Sequence, residues 1–195
     1  MSHMIGVMGP SCSGKTSVCI RMAEELGAEY VSTDDFFVER GQYPKIGDFE
    51  NMDSPETVKW DELVDVLSSL KEGKTTKVPV YDREMSMVVG TREAYPRHIV
   101  VSEGFILFHM PEVRDLLDTR IYLDIGVDTQ FSRRCQRGLH SDKMYFDEVV
   151  VPMFEMYGRP LLAHAHYTID AERSLDEVVV DVRNIIRTRG VGLGA

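Results

Sequence analysis

Near the start of the chain, Gly9-Pro10-Ser11-Cys12-Ser13-Gly14-Lys15-Thr16 satisfies G-x-x-x-x-G-K-[ST]. The spacing has a physical purpose. Two glycines let the backbone curl until successive N–H groups point inward at phosphate oxygens, and a helix that follows adds its positive end. Lys15 can reach the β- and γ-phosphates, and the Thr16 hydroxyl can ligate Mg²⁺. An apolar run, "MIGVM" at 4–8, precedes the loop, and Val18, Met22 and Leu26 follow it at helical spacing. Strand, loop and helix therefore come in the order the motif needs. Gly9, Ser11, Cys12, Ser13, Gly14, Lys15, Thr16 and Ser17 are expected to hold nucleotide phosphates. Cys12 either gains a more acidic thiol among the inward-facing amides or simply fills a variable position.

Holding phosphate is not yet moving it. Asp34 and Asp35 end a short second strand, "EYVS" at 29–32. A carboxylate there can accept the proton of a hydroxyl attacking the γ-phosphorus, or it can cap the turn after the strand. Glu103 follows the apolar strand "IVVS". It either orients the waters of a Mg²⁺ ion or is merely the first polar residue after that strand. Arg133, Arg134 and Arg137 gather at one helix end, where a lid over a transferring phosphoryl group would use them. Cations are also favoured at a helix C-terminus by its dipole. Arg133 and Arg137 are the stronger candidates. His164 and His166 lack a third ligand and read as a surface helix end.

The elements that must position these residues alternate. Strands are expected at 4–8, 29–32, 97–104, 119–125 and 167–170, and helices at 16–26, 57–71, 146–164 and from Ser174 onward. Another helix is expected to run from an Asp128 N-cap through Gln136. This rhythm means βαβ units around a parallel sheet, an α/β fold. Two stretches break it. Residues 36–56 are polar with scattered Gly and Pro, and residues 74–96 can form a β-hairpin outside the sheet. Insertions at strand ends are where α/β proteins usually place substrate.

The 195 residues suit one domain over 4–189, with 1–3 as a cloning remnant and 190–195 as a flexible tail. The formal net charge of −10 argues against a general binder of nucleic acid or anionic membranes. No apolar run approaches the ~20 residues of a membrane span, and no signal peptide is visible, so a cytoplasmic location is expected. Three cysteines without metal-ligand spacing fit a reducing compartment.

Loop, paired aspartates, strand-end glutamate and arginine helix, in this order over roughly residues 4–187, resemble the uridine kinase-like group of P-loop kinases. The group includes uridine–cytidine kinases, nicotinamide riboside kinases and phosphoribulokinase. "STDDFF" (32–37) resembles the segment bearing the family's catalytic aspartate, which maps to Asp34. "NMDSPETVKWDEL" (51–63) is similar to the stretch whose aspartate grips the ribose hydroxyls, here Asp53. "VPVYDRE" (78–84) is similar to the strand whose tyrosine lies near the base, here Tyr81. "SEGFILF" (102–108) and "YFDEVVVPMFEMY" (145–157) look closer to nicotinamide riboside kinases.

The resemblance implies a three-layer α/β/α P-loop fold with a five-stranded parallel sheet in the order 2-3-1-4-5 and a lid at about 137–146. It implies an ATP- and Mg²⁺-dependent kinase acting on the 5′-hydroxyl of a ribonucleoside or riboside, uridine or cytidine with nicotinamide riboside as the alternative. Asp34 would be the base, with Lys15, Arg133 and Arg137 stabilising charge. Thr16 and Glu103 would manage the metal, and Asp53, Tyr81 and Arg137 would hold the acceptor. A small-molecule partner is implied, and a homo-oligomer is compatible with the family. Two departures bear on the acceptor: "REMSMVV" after Tyr81 lacks the histidine that contacts the pyrimidine in uridine kinases, and the lid segment is shorter than theirs. A GTPase is disfavoured because N-K-x-D and D-x-x-G are absent. A nucleotide sensor that no longer catalyses remains the alternative of another class.

Overall fold

The structure is a computed structural model that describes residues 1–137 and 143–189. Residues 138–142 of the expected lid and the whole of the expected 190–195 tail lie outside them. Its centre is a sheet of β1 (His3–Met8), β2 (Glu29–Ser32), β7 (Ile99–Gly104), β8 (Thr119–Asp124) and β9 (Tyr167–Asp170). Short strands β3 (Lys45–Ile46) and β4 (Phe49–Glu50) form one satellite pair, and β5 (Thr76–Asp82) and β6 (Met87–Ala94) form another. The central order is β2-β7-β1-β8-β9, and every neighbouring pair is parallel. Counting only central strands, this is the 2-3-1-4-5 order that the resemblance implies.

Alternation along the strands sorts the core. Ile5, Val7, Ile99, Val101, Ile121 and Leu123 face one side, where they pack with Val18, Cys19 and Met22 of α1 (Lys15–Leu26) and Val178, Val179, Val182 and Ile186 of the last helix, Leu175–Thr188. Met4, Met8, Val100 and Tyr122 face the other, against Leu63, Val66, Leu67 and Leu70 of α2 (Trp60–Lys71) and Val113 of α3 (Pro111–Leu116). A sheet buried on both faces explains why its strands read as near-continuous apolar runs.

Three details differ from the sequence expectation. The helix α4 (Val127–Gln136) has Gly126, not Asp128, as its N-cap, and Asp128 stands in the first turn, where a negative charge suits the helix dipole. The amphipathic helix begins at Trp60 because Pro55–Thr57 forms a separate 3₁₀ turn. The expected 146–164 helix is a helical run over 143–164, in which π-type stretches Phe146–Val150 and Phe154–Gly158 flank Pro152. Proline lacks the N–H that a regular ladder needs, and wider turns accommodate it. Ser174 does start the last helix, as the N-cap of a capping box with Glu177.

Register brings the chemistry together. Glu103 of β7 lies beside Val7 of β1 on one side and Ser32 of β2 on the other. The phosphate loop, the turn carrying Asp34 and the Glu103 carboxylate therefore leave the sheet at one edge. Gly104 allows the closest approach there, since a Cβ would lie 2.1 Å from Thr33 Oγ1. Gly104→Ala is expected to lower stability by about 1–3 kcal/mol, the usual cost of overpacking. Urea unfolding would show this as a lower midpoint with an unchanged slope.

Candidate active site

The loop between β1 and α1 is shaped by close contact. A Cβ on Gly9 would stand 2.5 Å from the Leu123 carbonyl oxygen, so only glycine lets the chain turn against β8. Gly14 sits at φ 91° and precedes α1 without a side-chain cap, which leaves the first-turn N–H groups to an incoming anion. Cys12 also has positive φ, at 64°, and is buried. Lys15 Nζ donates to the Pro10 carbonyl at 3.4 Å. Burial, only partly opposed by Glu103, pulls its ammonium below the usual lysine range.

Glu103 is fully buried and gathers three donors from two elements, α1 and β2. Its Oε1 accepts from Thr16 Oγ1 at 3.1 Å, Tyr30 hydroxyl at 2.9 Å and Ser32 Oγ at 2.9 Å. Burial and the neighbouring carboxylate push the Tyr30 hydroxyl far above its ordinary value, so it stays a donor. Glu103 Oε2 has no partner among the described residues. A buried, unsatisfied carboxylate oxygen beside a threonine hydroxyl is a hard-oxygen pair that fits Mg²⁺, which takes one or two carboxylates and completes its shell with phosphate and water.

Asp34 lies on the 3₁₀ turn Thr33–Phe36, and its N–H donates to Ser32 Oγ at 3.2 Å. One serine hydroxyl thus accepts from the Asp34 backbone and donates to Glu103. The Asp34 carboxylate pairs with the Arg83 guanidinium, delivered by the turn between β5 and β6. Asp35 points elsewhere. It accepts the Tyr81 backbone N–H, and burial raises its carboxyl above the usual range against the pull of Arg92.

Asp53 approaches from the other insertion. Its Oδ2 accepts from the Tyr145 hydroxyl at 3.3 Å. Burial pushes its carboxyl up, opposed by Arg134, Tyr145 and Lys15. Arg134 donates to Ser11 Oγ at 3.4 Å and lies 5.8 Å from the Tyr145 ring centre. Arg133 faces the opposite way, donating to the carbonyls of Cys12 (3.4 Å), Ala171 (2.9 Å) and Glu172 (3.3 Å). With Arg137, Cys12, Ser13 and Gly14 it lines a cavity of about 360 Å³, within the usual range of ligand pockets.

The structure thus gathers Lys15, Thr16, Asp34 and Glu103 at the loop mouth, with Asp53 close by. It sets Arg133 and Arg137 on the cavity side, and Arg134, the weaker candidate in the sequence, faces Asp53. Tyr81 is buried, and its hydroxyl is shared with Tyr43 and the Val38 carbonyl. Tyr30, Ser32, Arg83 and Tyr145 were not singled out by the sequence. His164 and His166 are used by Arg120, which donates to the His164 carbonyl and to His166 Nδ1. Among the described residues, no group of three or more His, Cys, Asp or Glu is placed to hold a metal.

Comparison with known proteins bears on this arrangement. Residues 4–174 match the model of the Phosphoribulokinase / Uridine kinase family. A uridine kinase of Schizosaccharomyces pombe is 29% identical over 95% of this chain and 44% of its own length. Uridine-cytidine kinase 2-B of Danio rerio is 30% identical over 90% of this chain and 75% of its own, and a uridine kinase of Ligilactobacillus salivarius 28% over 95% of each. The chain spans less than half the length of several curated relatives it matches. Among solved structures, a possible uridine kinase from Bacillus stearothermophilus superposes with a TM-score of 0.61 at 21% identity, covering 87% of this chain and 89% of that one. Shikimate kinase from Acinetobacter baumannii gives 0.57 at 19%, covering 97% and 95%. These two likenesses speak to the fold.

The depressed Lys15 ammonium carries a stability consequence. Below its native titration range the full cost of burying the charge is present. Between that range and the ordinary value of 10.5, the unfolded chain holds a proton the native state has released, so stability rises with pH. Lys15→Met should therefore raise the melting temperature of the nucleotide-free protein at pH 7, with the gap to wild type narrowing as pH climbs. Thermal unfolding across pH 7–10 checks this.

Proposed function

The chain belongs to the phosphoribulokinase and uridine kinase family, and on that premise we propose that it is an ATP- and Mg²⁺-dependent kinase for the 5′-hydroxyl of a ribonucleoside. The observation that carries the reading is the Ser32 hydroxyl bridging the Asp34 backbone and Glu103 at the mouth of the phosphate loop. The shared hydroxyl ties the segment of the candidate base to the candidate metal residue, which supports the reading.

In this reading the loop amides and Lys15 bind the donor phosphates, and the cavity lined by Arg133 and Arg137 takes the rest of the nucleotide. Asp34 accepts the acceptor hydroxyl proton at its carboxylate as that oxygen attacks the γ-phosphorus. The bond to the β–γ bridging oxygen breaks, and ADP leaves. Asp53, held by Tyr145, hydrogen-bonds the sugar diol, and Arg134 faces the charge passing between the two substrates. Thr16 and Glu103 would hold Mg²⁺, which supplies charge neutralisation on the phosphates. Most of the rate comes from alignment and electrostatics, since phosphoryl transfer leaves little covalent work to the protein.

Uridine or cytidine is the first acceptor to test, because the relatives named above are uridine and uridine–cytidine kinases. Nicotinamide riboside is second. Tyr145, which contacts Asp53, opens the segment that looks closer to kinases of that riboside.

ADP release would be measured with uridine, cytidine, nicotinamide riboside, adenosine, pantothenate and ribulose 5-phosphate, with Lys15→Ala as the blank. Acceptor-dependent turnover by uridine or cytidine is expected, and ATP binding without it would favour a sensor. Asp34→Asn should lower kcat by about 10²–10⁴-fold with acceptor saturating. Full turnover in that variant would remove Asp34 from the role of base. Glu103→Gln keeps an acceptor for the three hydroxyls, so its fold should survive while Mg²⁺ loses its effect on ATP affinity, as titration calorimetry would read.

A further inference from the structure

We propose that Arg83, at the tip of the β5–β6 hairpin, is a positioning residue that holds the Asp34 carboxylate by Oδ2 against the phosphate loop and leaves Oδ1 for the acceptor hydroxyl. This deepens the kinase reading above and rests on it. No family motif quoted for this chain assigns Arg83 a role.

The hairpin is built as a stiff arm. At its base, Arg92 donates to Glu29 Oε1 at 2.7 Å and to the Tyr30 carbonyl, fastening β6 to the edge of the central sheet. Just before the tip, Asp35 holds the Tyr81 backbone, and the Tyr81 hydroxyl meets Tyr43. At the tip, Asp82 Oδ1 accepts from the N–H groups of Glu84 and Met85, both at 2.8 Å. Ser86 takes positive φ, and its carbonyl accepts from the Arg40 N–H at 3.2 Å. Asp82, Ser86 and Arg40 all fix the turn from which Arg83 projects.

Magnitudes decide what the pair is for. Arg83 is 60% exposed and Asp34 25%, and ion pairs this open contribute little to folding. Geometry is the larger effect. A base beside a triphosphate must stay ionised and still against like charge. A guanidinium is planar, permanently charged and able to orient a carboxylate as an ammonium does not. The charged groups around Asp34 are Lys15 from the loop, whose ammonium also feels the Arg83 charge, buried Glu103 from β7, and Asp35 facing Arg92. Asp53 feels the charges of both Arg134 and Lys15. Among the described residues, Arg83 is the cation paired with Asp34.

The test uses the full chain with Arg83→Gln and Arg83→Lys. Arg83→Gln should lower kcat by about 10–100-fold, the scale of a misplaced reacting group, with acceptor KM nearly unchanged. The acidic limb of its kcat/KM profile should move to higher pH, because a neighbouring cation favours the ionised carboxylate. Arg83→Lys should recover part of the rate, and Arg83→Gln added to Asp34→Asn should cost nothing more. A readout free of turnover is amide hydrogen exchange at 84–87. It should quicken equally in Arg83→Gln and Asp34→Asn, and no further in the double variant. An unchanged or raised kcat in Arg83→Gln, or unaltered exchange at the tip, overturns the proposal. Absence of turnover by wild type with every acceptor would instead sink the kinase reading, and the exchange data would then judge the Arg83–Asp34 contact alone.

Discussion

A carboxylate sealed from water is the constraint on which the rest of this molecule turns. Glu103 is buried near the end of strand β7, and an isolated charge in such a place is strongly unfavourable. Three hydroxyls, one from α1 and two from β2, converge on a single oxygen of it. Each hydroxyl is thereby fixed, and so is the element that bears it. The other oxygen has no partner among the described residues. A fold that buries a charge and satisfies half of it has arranged a demand for a positive ligand, and the phosphate loop begins alongside.

Much of this was legible in the sequence, for reasons that can be named. The central strands are apolar on both faces because helices cover both faces, so they stand out as runs. The loop was legible because glycine at 9 and 14 answers to a close carbonyl and a positive φ that few other residues tolerate. Asp34, Glu103 and Asp53 were legible because strand ends and family segments mark them. What was not legible depends on direction in space. Tyr30 sits in a strand where a tyrosine is ordinary, and nothing local shows that its hydroxyl turns toward Glu103. Arg83 belongs to a hairpin whose tip reaches Asp34 only through contacts with three other segments. The Asp128 cap failed because Gly126 enters the helix first, its N–H held by Glu172 at 2.6 Å.

The two insertions do different work. Residues 74–96 bring a cation to Asp34, while residues 36–56 bring Asp53, backed by the helical run through Tyr145 and by the Asn51 contact to Met153 Sδ at 3.3 Å. Core and insertions are thus distinct in kind. On the kinase reading proposed above, the sheet edge would supply the groups that handle phosphate, and the additions the groups that choose and aim an acceptor. Different acceptors on one phosphate-handling core would follow from changing the additions alone.

Arg133 and Arg134 are neighbours in sequence yet serve opposite compartments, because one step along an α-helix turns the side chain by about 100°. Which arginine faces which side is therefore set by helical phase. The count of residues from Gly126 to the pair fixes that phase, since Glu172 pins the helix start. Gaining one residue in that stretch would turn the pair by about 100°, carrying Arg133 to where Arg134 now stands and Arg134 to a further face, without altering any side-chain type. In a collection of related chains, α4 should accordingly vary freely in composition on its outer face but hardly at all in length before the pair.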